Sequence, residues 1–175
     1  GPDGIVIAIE PGPESFRRLA RMVGDLPVPN VHIVEFAISD WSGRGTFRSV
    51  GASDGVEDFL LDAEPAAALG GSDGVDVQTL ASVVASFGLK RVDYLRMNIE
   101  GEEFKALVGM GDALDLVANL CISCHDFTGR PSARTFDAVC GLLIERGFDL
   151  TFYPDEDPTS LGAFYVFASR ASAAA

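Results

Sequence analysis

Near the start of the chain, Gly4 to Glu10 (GIVIAIE) form an almost uninterrupted apolar run that stops at a carboxylate. A run this short and this uniformly apolar suits a strand covered on both faces, the habit of a parallel sheet. The next residues supply the crossover such a sheet needs. After Pro11-Gly12-Pro13, the residues Phe16, Leu19, Ala20 and Val23 recur at the i, i+3, i+4, i+7 spacing of one helix face. Pro13 suits a first helical position and Gly24 a helix stop. Val31 to Ala37 (VHIVEFA) then reads as a second strand, so the chain opens as a βαβ unit.

The pattern continues downstream. Asp40 to Gly45 is turn-like, and Thr46 to Val50 suits one arm of a hairpin. Gly51 to Gly74 is rich in glycine, alanine and acids and reads as a long surface insertion with a short apolar piece at Phe59 to Leu61. In a compact domain such a loop is usually functional or disordered. Regular structure is expected to return with Val75 to Val77, a helix from Leu80 to Phe87, and a strand at Val92 to Ile99. Glu102 and Glu103 open a further helix with Phe104, Leu107 and Val108 as its apolar face; two acids in a first turn suit the helix macrodipole. Val117 to Phe127 reads as a strand. Pro131 begins a helix whose stripe is Phe136, Val139, Cys140, Leu143 and Ile144, stopped at Gly147. Phe148 to Tyr153 and Ala163 to Ala168 close the sheet as an antiparallel pair. The expectation is one α/β domain over residues 1–170, with 171–175 as a frayed tail.

Twenty-six acidic against thirteen basic residues leave a formal charge of −13. That surface repels phosphate backbones and anionic lipid, so neither nucleic acid nor membrane is an expected partner. No apolar run approaches the ~20 residues of a membrane span, and no leader pattern precedes the first strand. Three cysteines are too few for a disulfide framework and suit a reducing compartment, with the cytoplasm as the default.

In open α/β sheets, ligands bind beyond the carboxyl ends of the strands. Polar residues gather at those places: Glu10, Asp40, Asn98 with Glu100, and His125 with Asp126. The blocks that carry them are IAIEPGPESFRRL, FAISDWSGRGTF, DYLRMNIEGEEFKAL and CISCHDF. In order and spacing these resemble successive signature blocks of FkbM-type methyltransferases, over most of the chain.

The resemblance implies a Rossmann-like class I methyltransferase sheet, mostly parallel with an antiparallel last strand. It implies transfer of a methyl group from S-adenosylmethionine to a hydroxyl of a small metabolite, sugar or natural product. Glu10, followed by Pro11, matches the acid that binds the cofactor ribose; a carboxylate accepts from two vicinal hydroxyls. Ile38, Ser39 and Asp40 match the loop that contacts the adenine amino group. Asn98, Glu100 and Gly101 match the block bordering the methyl-transfer centre, with Asn98 also beside the cofactor. His125 and Asp126 match the strand end facing the acceptor. His125 is the expected base, since its ordinary pKa lies near operating pH, with Asp126 or Glu100 to orient or replace it.

Two departures from the family pattern stand out. The family commonly shows Asp at the position of Asn98, and the amide removes a negative charge. Hard oxygens of Glu100, Asp126 and the acceptor would suit Mg2+, but with Asn98 present no metal ligands are assigned. The glycine-rich VxDxGAxxG-like strand and turn has no counterpart either, because the chain begins at Gly1 where the family's second strand begins. Residues before Gly1 in the natural protein, or a rearranged fold, are the two expectations for that difference. A non-catalytic domain of the same descent that binds a protein partner is the alternative function. The C-x-x-C-H spacing of Cys121 to His125 matches haem attachment, but residues three apart on a strand point to opposite faces. Both cysteines are therefore expected to be small buried residues, and His32 an ordinary strand histidine. No G-x-S-x-G elbow of a serine hydrolase is present.

Overall fold

The apolar run at the start forms β1 (Val6–Ile9), which lies parallel to β2 (Val31–Val34), with Val6 opposite Val31 and Ile9 opposite Val34. Between them runs α1 (Pro13–Gly24), with Pro13 in its first turn. Phe16, Leu19, Ala20 and Val23 are its half-covered stripe, and α1 packs on β2. The computed structural model describes residues 4–52, 55–61, 74–128, 131, 134–152 and 161–170. The chain packs as two compact units, one of Gly1–Ala37 with Ser42–Gln78, the other of Ile38–Trp41 with Thr79–Ala175.

A second sheet runs in the order β3-β6-β4-β5, antiparallel where β4 meets β5 and β6. Its strands are β3 (Ala37–Ile38), β4 (Gly43–Ala52), β5 (Gly55–Leu61) and β6 (Gly74–Gln78). The expected hairpin arm at Thr46 to Val50 is the centre of β4. The stretch read as an insertion from Gly51 is in its first part a strand, with Val56 opposite Gly51 and Phe59 opposite Arg48. Glycines and acids, which are depleted in strands, mask this stretch in the sequence. Residues 62–73 of the expected insertion lie outside the described residues, as does the Pro154–Pro158 turn.

The second unit is built on a four-stranded sheet in the order β7-β8-β10-β9. Here β7 (Leu95–Met97) runs parallel to β8 (Asn119–Ser123). The last strand, β10 (Tyr165–Ser169), is antiparallel to both β8 and β9 (Asp149–Phe152) and lies between them. This matches the expected closing pair and antiparallel last strand. β7 is shorter than the expected Val92–Ile99, because only an isolated bridge from Val92 to Val117 precedes it.

Among the described residues, the α-helices of this unit are α2 (Leu80–Ser86), α3 (Glu103–Val108) and α4 (Phe136–Glu145). Thr79 caps α2 by accepting from the Ser82 backbone N–H at 3.1 Å. The core of the unit is Leu107, Met110, Leu114, Leu120, Ile122, Val139, Leu143 and Val166, all fully buried. Two expected apolar faces need correction. Val108 is 45% exposed and Ile144 is 61% exposed; the buried positions are Glu103, Ala106 and Leu107 on α3, and Val139 and Leu143 on α4. The helix expected from Pro131 starts at Phe136. Among the described residues, no helix is long and apolar enough to cross a membrane.

Candidate functional site

β7 and β8 end side by side, so the turn after β7 and the residues after β8 emerge at one edge of their sheet. The turn holds Asn98, which is exposed, then Glu100 and Gly101. Glu100 has φ 59°, in the left-handed region, and Gly101 follows at φ 109°. A non-glycine residue with such a φ stores strain that the surrounding structure must hold in place. After β8 come Cys124 and His125, both buried.

The structure brings Glu100 and His125 together and adds a partner that the sequence reading assigned to the helix start alone. His125 Nδ1 lies 2.6 Å from Oε1 of Glu103, and its Nε2 lies 3.2 Å from Oε1 of Glu100. Glu103 is fully buried, His125 is 3% exposed at its side chain, and Glu100 is 23% exposed. The second oxygen of Glu103 accepts from Thr135 Oγ1 at 3.0 Å, and its first also accepts from the Gly101 backbone N–H at 3.1 Å. The Phe127 ring stands 5.5 Å from the imidazole, tilted by 41°.

These contacts settle the charges. Burial works against a charged imidazole, but the hydrogen bonds and charges of Glu100 and Glu103 outweigh it and lift the His125 pKa to about 9. Burial likewise opposes a charged Glu103, and the His125 contacts with the backbone N–H groups overcome it, holding the carboxyl below its ordinary range. At neutral pH His125 is therefore protonated and Glu103 ionised. His125, the expected base, is thus held protonated above the ordinary histidine range, with Glu100 at its Nε2.

Asp126 is engaged elsewhere. Its Oδ2 accepts from the backbone N–H groups of Thr135 and Phe136, each at 3.0 Å, and so caps the start of α4. Among the described residues, no group of three or more His, Cys, Asp or Glu side chains is placed to hold a metal ion. Cys121 and Cys124 are buried free thiols, and burial pushes Cys124 up to about 12.

The loop matched to adenine recognition belongs to the same unit. Ile38 and Ser39 are buried while Asp40 is exposed. Ser39 Oγ donates to Oε2 of Glu102 at 2.7 Å, and Lys105 Nζ donates to Oε1 of the same carboxylate at 3.0 Å. Glu102 therefore also has a part here beyond starting a helix. Gly109, just past α3, lies against the backbone of Ser39 and Asp40. The Asp40 carboxylate, whose Oδ1 accepts from Ser39 Oγ at 3.3 Å, offers acceptor oxygens of the kind that suit an exocyclic amino group.

Glu10 belongs to the other unit. It follows β1, half-buried, and its Oε1 accepts from the Gly12 backbone N–H at 2.8 Å; Pro11 between them is also half-buried. A carboxylate so held at a strand end fits a ribose diol by the chemistry of its acceptor oxygens.

The profile of the Methyltransferase FkbM domain matches residues 1–150. The AMB antimetabolite synthetase AmbE of Pseudomonas aeruginosa is 25% identical over 187 aligned residues, which cover 88% of this chain and 9% of AmbE. The chain thus spans less than a tenth of that relative's length. The crystal structure of methyltransferase FkbM from Methylobacillus flagellatus KT is similar with a TM-score of 0.55 at 15% identity, covering 94% of this chain and 36% of that one. That likeness shows the fold, a Rossmann-like α/β arrangement of the class I methyltransferase kind. With a profile match over most of its length, the chain belongs to the FkbM methyltransferase domain family.

Proposed function

We propose that this domain uses S-adenosylmethionine to methylate a hydroxyl of a small metabolite, sugar or natural product. The observation that carries the reading is the Glu103–His125–Glu100 arrangement at the ends of β7 and β8, where a proton can be handled beside a ligand. The likeness to an antimetabolite synthetase favours a natural-product intermediate as acceptor. The charge of −13 argues against nucleic acid or an anionic membrane as partner. Free thiols at Cys121, Cys124 and Cys140 favour the cytoplasm.

When bound, S-adenosylmethionine supplies an electrophilic methyl group on a sulfonium sulfur. Glu10 would accept hydrogen bonds from its ribose hydroxyls, and Asp40 from its adenine amino group. The Ser39–Glu102–Lys105 contacts keep the Asp40 loop in one attitude. As the acceptor oxygen takes the methyl group, its proton passes to the Glu100–His125 pair. The proton then passes from the pair to bulk water. Orientation of the acceptor supplies the rest of the acceleration.

Calorimetric titration of the chain with S-adenosylhomocysteine tests the reading. Saturable binding that is lost in Glu10→Ala is expected. A chain that releases no heat with this ligand under any conditions in which it is folded overturns it.

A further inference from the structure

Glu103 is a buried charge that the transfer scheme above leaves without a task. Burying a carboxylate costs several kcal/mol unless it is paired and hydrogen-bonded. A residue that served only to start α3 would gain from the macrodipole while remaining in water. Glu103 instead turns its carboxylate inward and has both oxygens held, Oε1 by the Gly101 N–H and Oε2 by Thr135 Oγ1. A carboxylate held in this way cannot swing away from the imidazole.

The contact with His125 follows a strict donor logic. An ionised carboxylate only accepts hydrogen bonds, so the His125 Nδ1 that meets Oε1 at 2.6 Å must carry hydrogen. The other ring nitrogen, Nε2, points to the partly exposed Glu100. We propose that Glu103 is the positioning residue of this site: it pins the ring through Nδ1–H, so that Nε2 alone exchanges a proton, with Glu100 and the incoming hydroxyl. Glu103 and Thr135 touch neither the acceptor nor the cofactor in this scheme; they act through His125. The purpose of the pinning rests on the hydroxyl-acceptor reading, whereas the pinning itself belongs to the protein without ligand.

Among the described residues, the titratable groups that meet or adjoin the ring include Glu100 from the turn after β7, Glu103 from α3, and the ring's chain neighbours Cys124 and Asp126. The Cys124 thiol is un-ionised at neutral pH, since burial raises it to about 12. Asp126 is occupied by the backbone at the start of α4. The two carboxylates that contact the nitrogens are thus the ones whose removal discriminates.

The chain has two histidines, His32 and His125, so long-range proton–nitrogen correlation spectra of the labelled chain resolve each imidazole. Across a pH titration, His125 is expected to keep its Nδ1 proton and to lose its Nε2 proton at the alkaline end. Glu100→Gln, at a partly exposed position, should lower the midpoint by about one unit or more while the Nδ1 proton stays. Glu103→Gln should also lower it, and in addition let the neutral ring populate both tautomers. A neutral His125 that carries its proton on Nε2, in the unsubstituted chain or in Glu100→Gln, overturns the proposal. That outcome can be read even if Glu103→Gln does not fold. Failure of S-adenosylhomocysteine to bind is a separate result that strikes the methyltransferase reading and leaves the nitrogen assignments as they are.

Discussion

Gly109 lies so close to the backbone of Ser39 that a Cβ at position 109 would stand 2.5 Å from the Ser39 carbonyl oxygen, and 2.8 Å from the Asp40 Cα. Neither neighbour is a side chain that can turn aside. Gly109→Ala must therefore displace the Ser39–Asp40 loop or the end of α3. It is expected to cost ~1–3 kcal/mol, the usual range for overpacking, and to weaken S-adenosylhomocysteine binding by more than the loss of stability explains. Urea unfolding and calorimetry on the same variant separate the two effects; binding equal to that of the parent chain counts against Asp40 as a cofactor contact.

The buried pair predicts a stability maximum bounded on both sides. His125 has a folded pKa of about 9, above the ~6.5 of an unfolded histidine. Its contribution is complete below the unfolded value and disappears as pH rises through about 9. Glu103 is shifted the other way, so its contribution is present above the ~4.3 of an unfolded glutamate and disappears as pH falls through its lowered folded value. Denaturant midpoints across the pH range should show both limbs, and His125→Gln should flatten the alkaline one. Glu103→Ala, which leaves a buried imidazolium with one partner fewer, should cost ~3–5 kcal/mol.

Asp126 divides the capping role from the chemical one. Because its Oδ2 receives the first N–H groups of α4, Asp126→Ala should lower stability by ~0.5–2 kcal/mol, as loss of a helix cap does. Asp126→Asn, which keeps an acceptor oxygen, should recover part of that. Neither should alter S-adenosylhomocysteine affinity. A large loss of affinity without loss of stability would return Asp126 to the ligand site.

On α4, neighbouring residues should respond in opposite ways. Leu143 is fully buried and Ile144 is 61% exposed. Leu143→Ala is expected to cost ~2–5 kcal/mol, and Ile144→Ala to stay within ~0.5 kcal/mol, as surface changes do. Paired unfolding curves decide this directly.

Much of the architecture was legible because it follows from burial periodicity. The strand ending at Glu10, the helix α1 and the closing strand pair all formed where their patterns lie, but β1 is not covered on both faces as its apolar run suggested, since Val6 is 53% exposed. β5 was hidden because a strand among glycines and acids presents too few apolar positions to show a period. Glu103 was hidden for a different reason: an acid at a helix start has a sufficient explanation in water. The signal that could have revealed it lies downstream. Ala106, Leu107, Met110 and Leu114 are all at most 1% exposed. One turn back along that stripe is Glu103, whereas the stripe drawn through Phe104 and Val108 was rotated toward solvent. A carboxylate on the covered face of a helix calls for a partner, and His125 is the basic residue at the neighbouring strand end. Thr135 carried no comparable signal, since its contact depends on where the segment before α4 returns.

The left-handed backbone at Glu100 has an implication for how this domain can change under selection or engineering. A side chain there carries ~1–2 kcal/mol of conformational penalty that glycine does not. Glu100→Gly would remove that penalty together with the carboxylate that helps lift the His125 pKa, so its two effects on stability oppose one another. The balance moves toward glycine only as pH rises through about 9, where the imidazolium and its ion pair are lost.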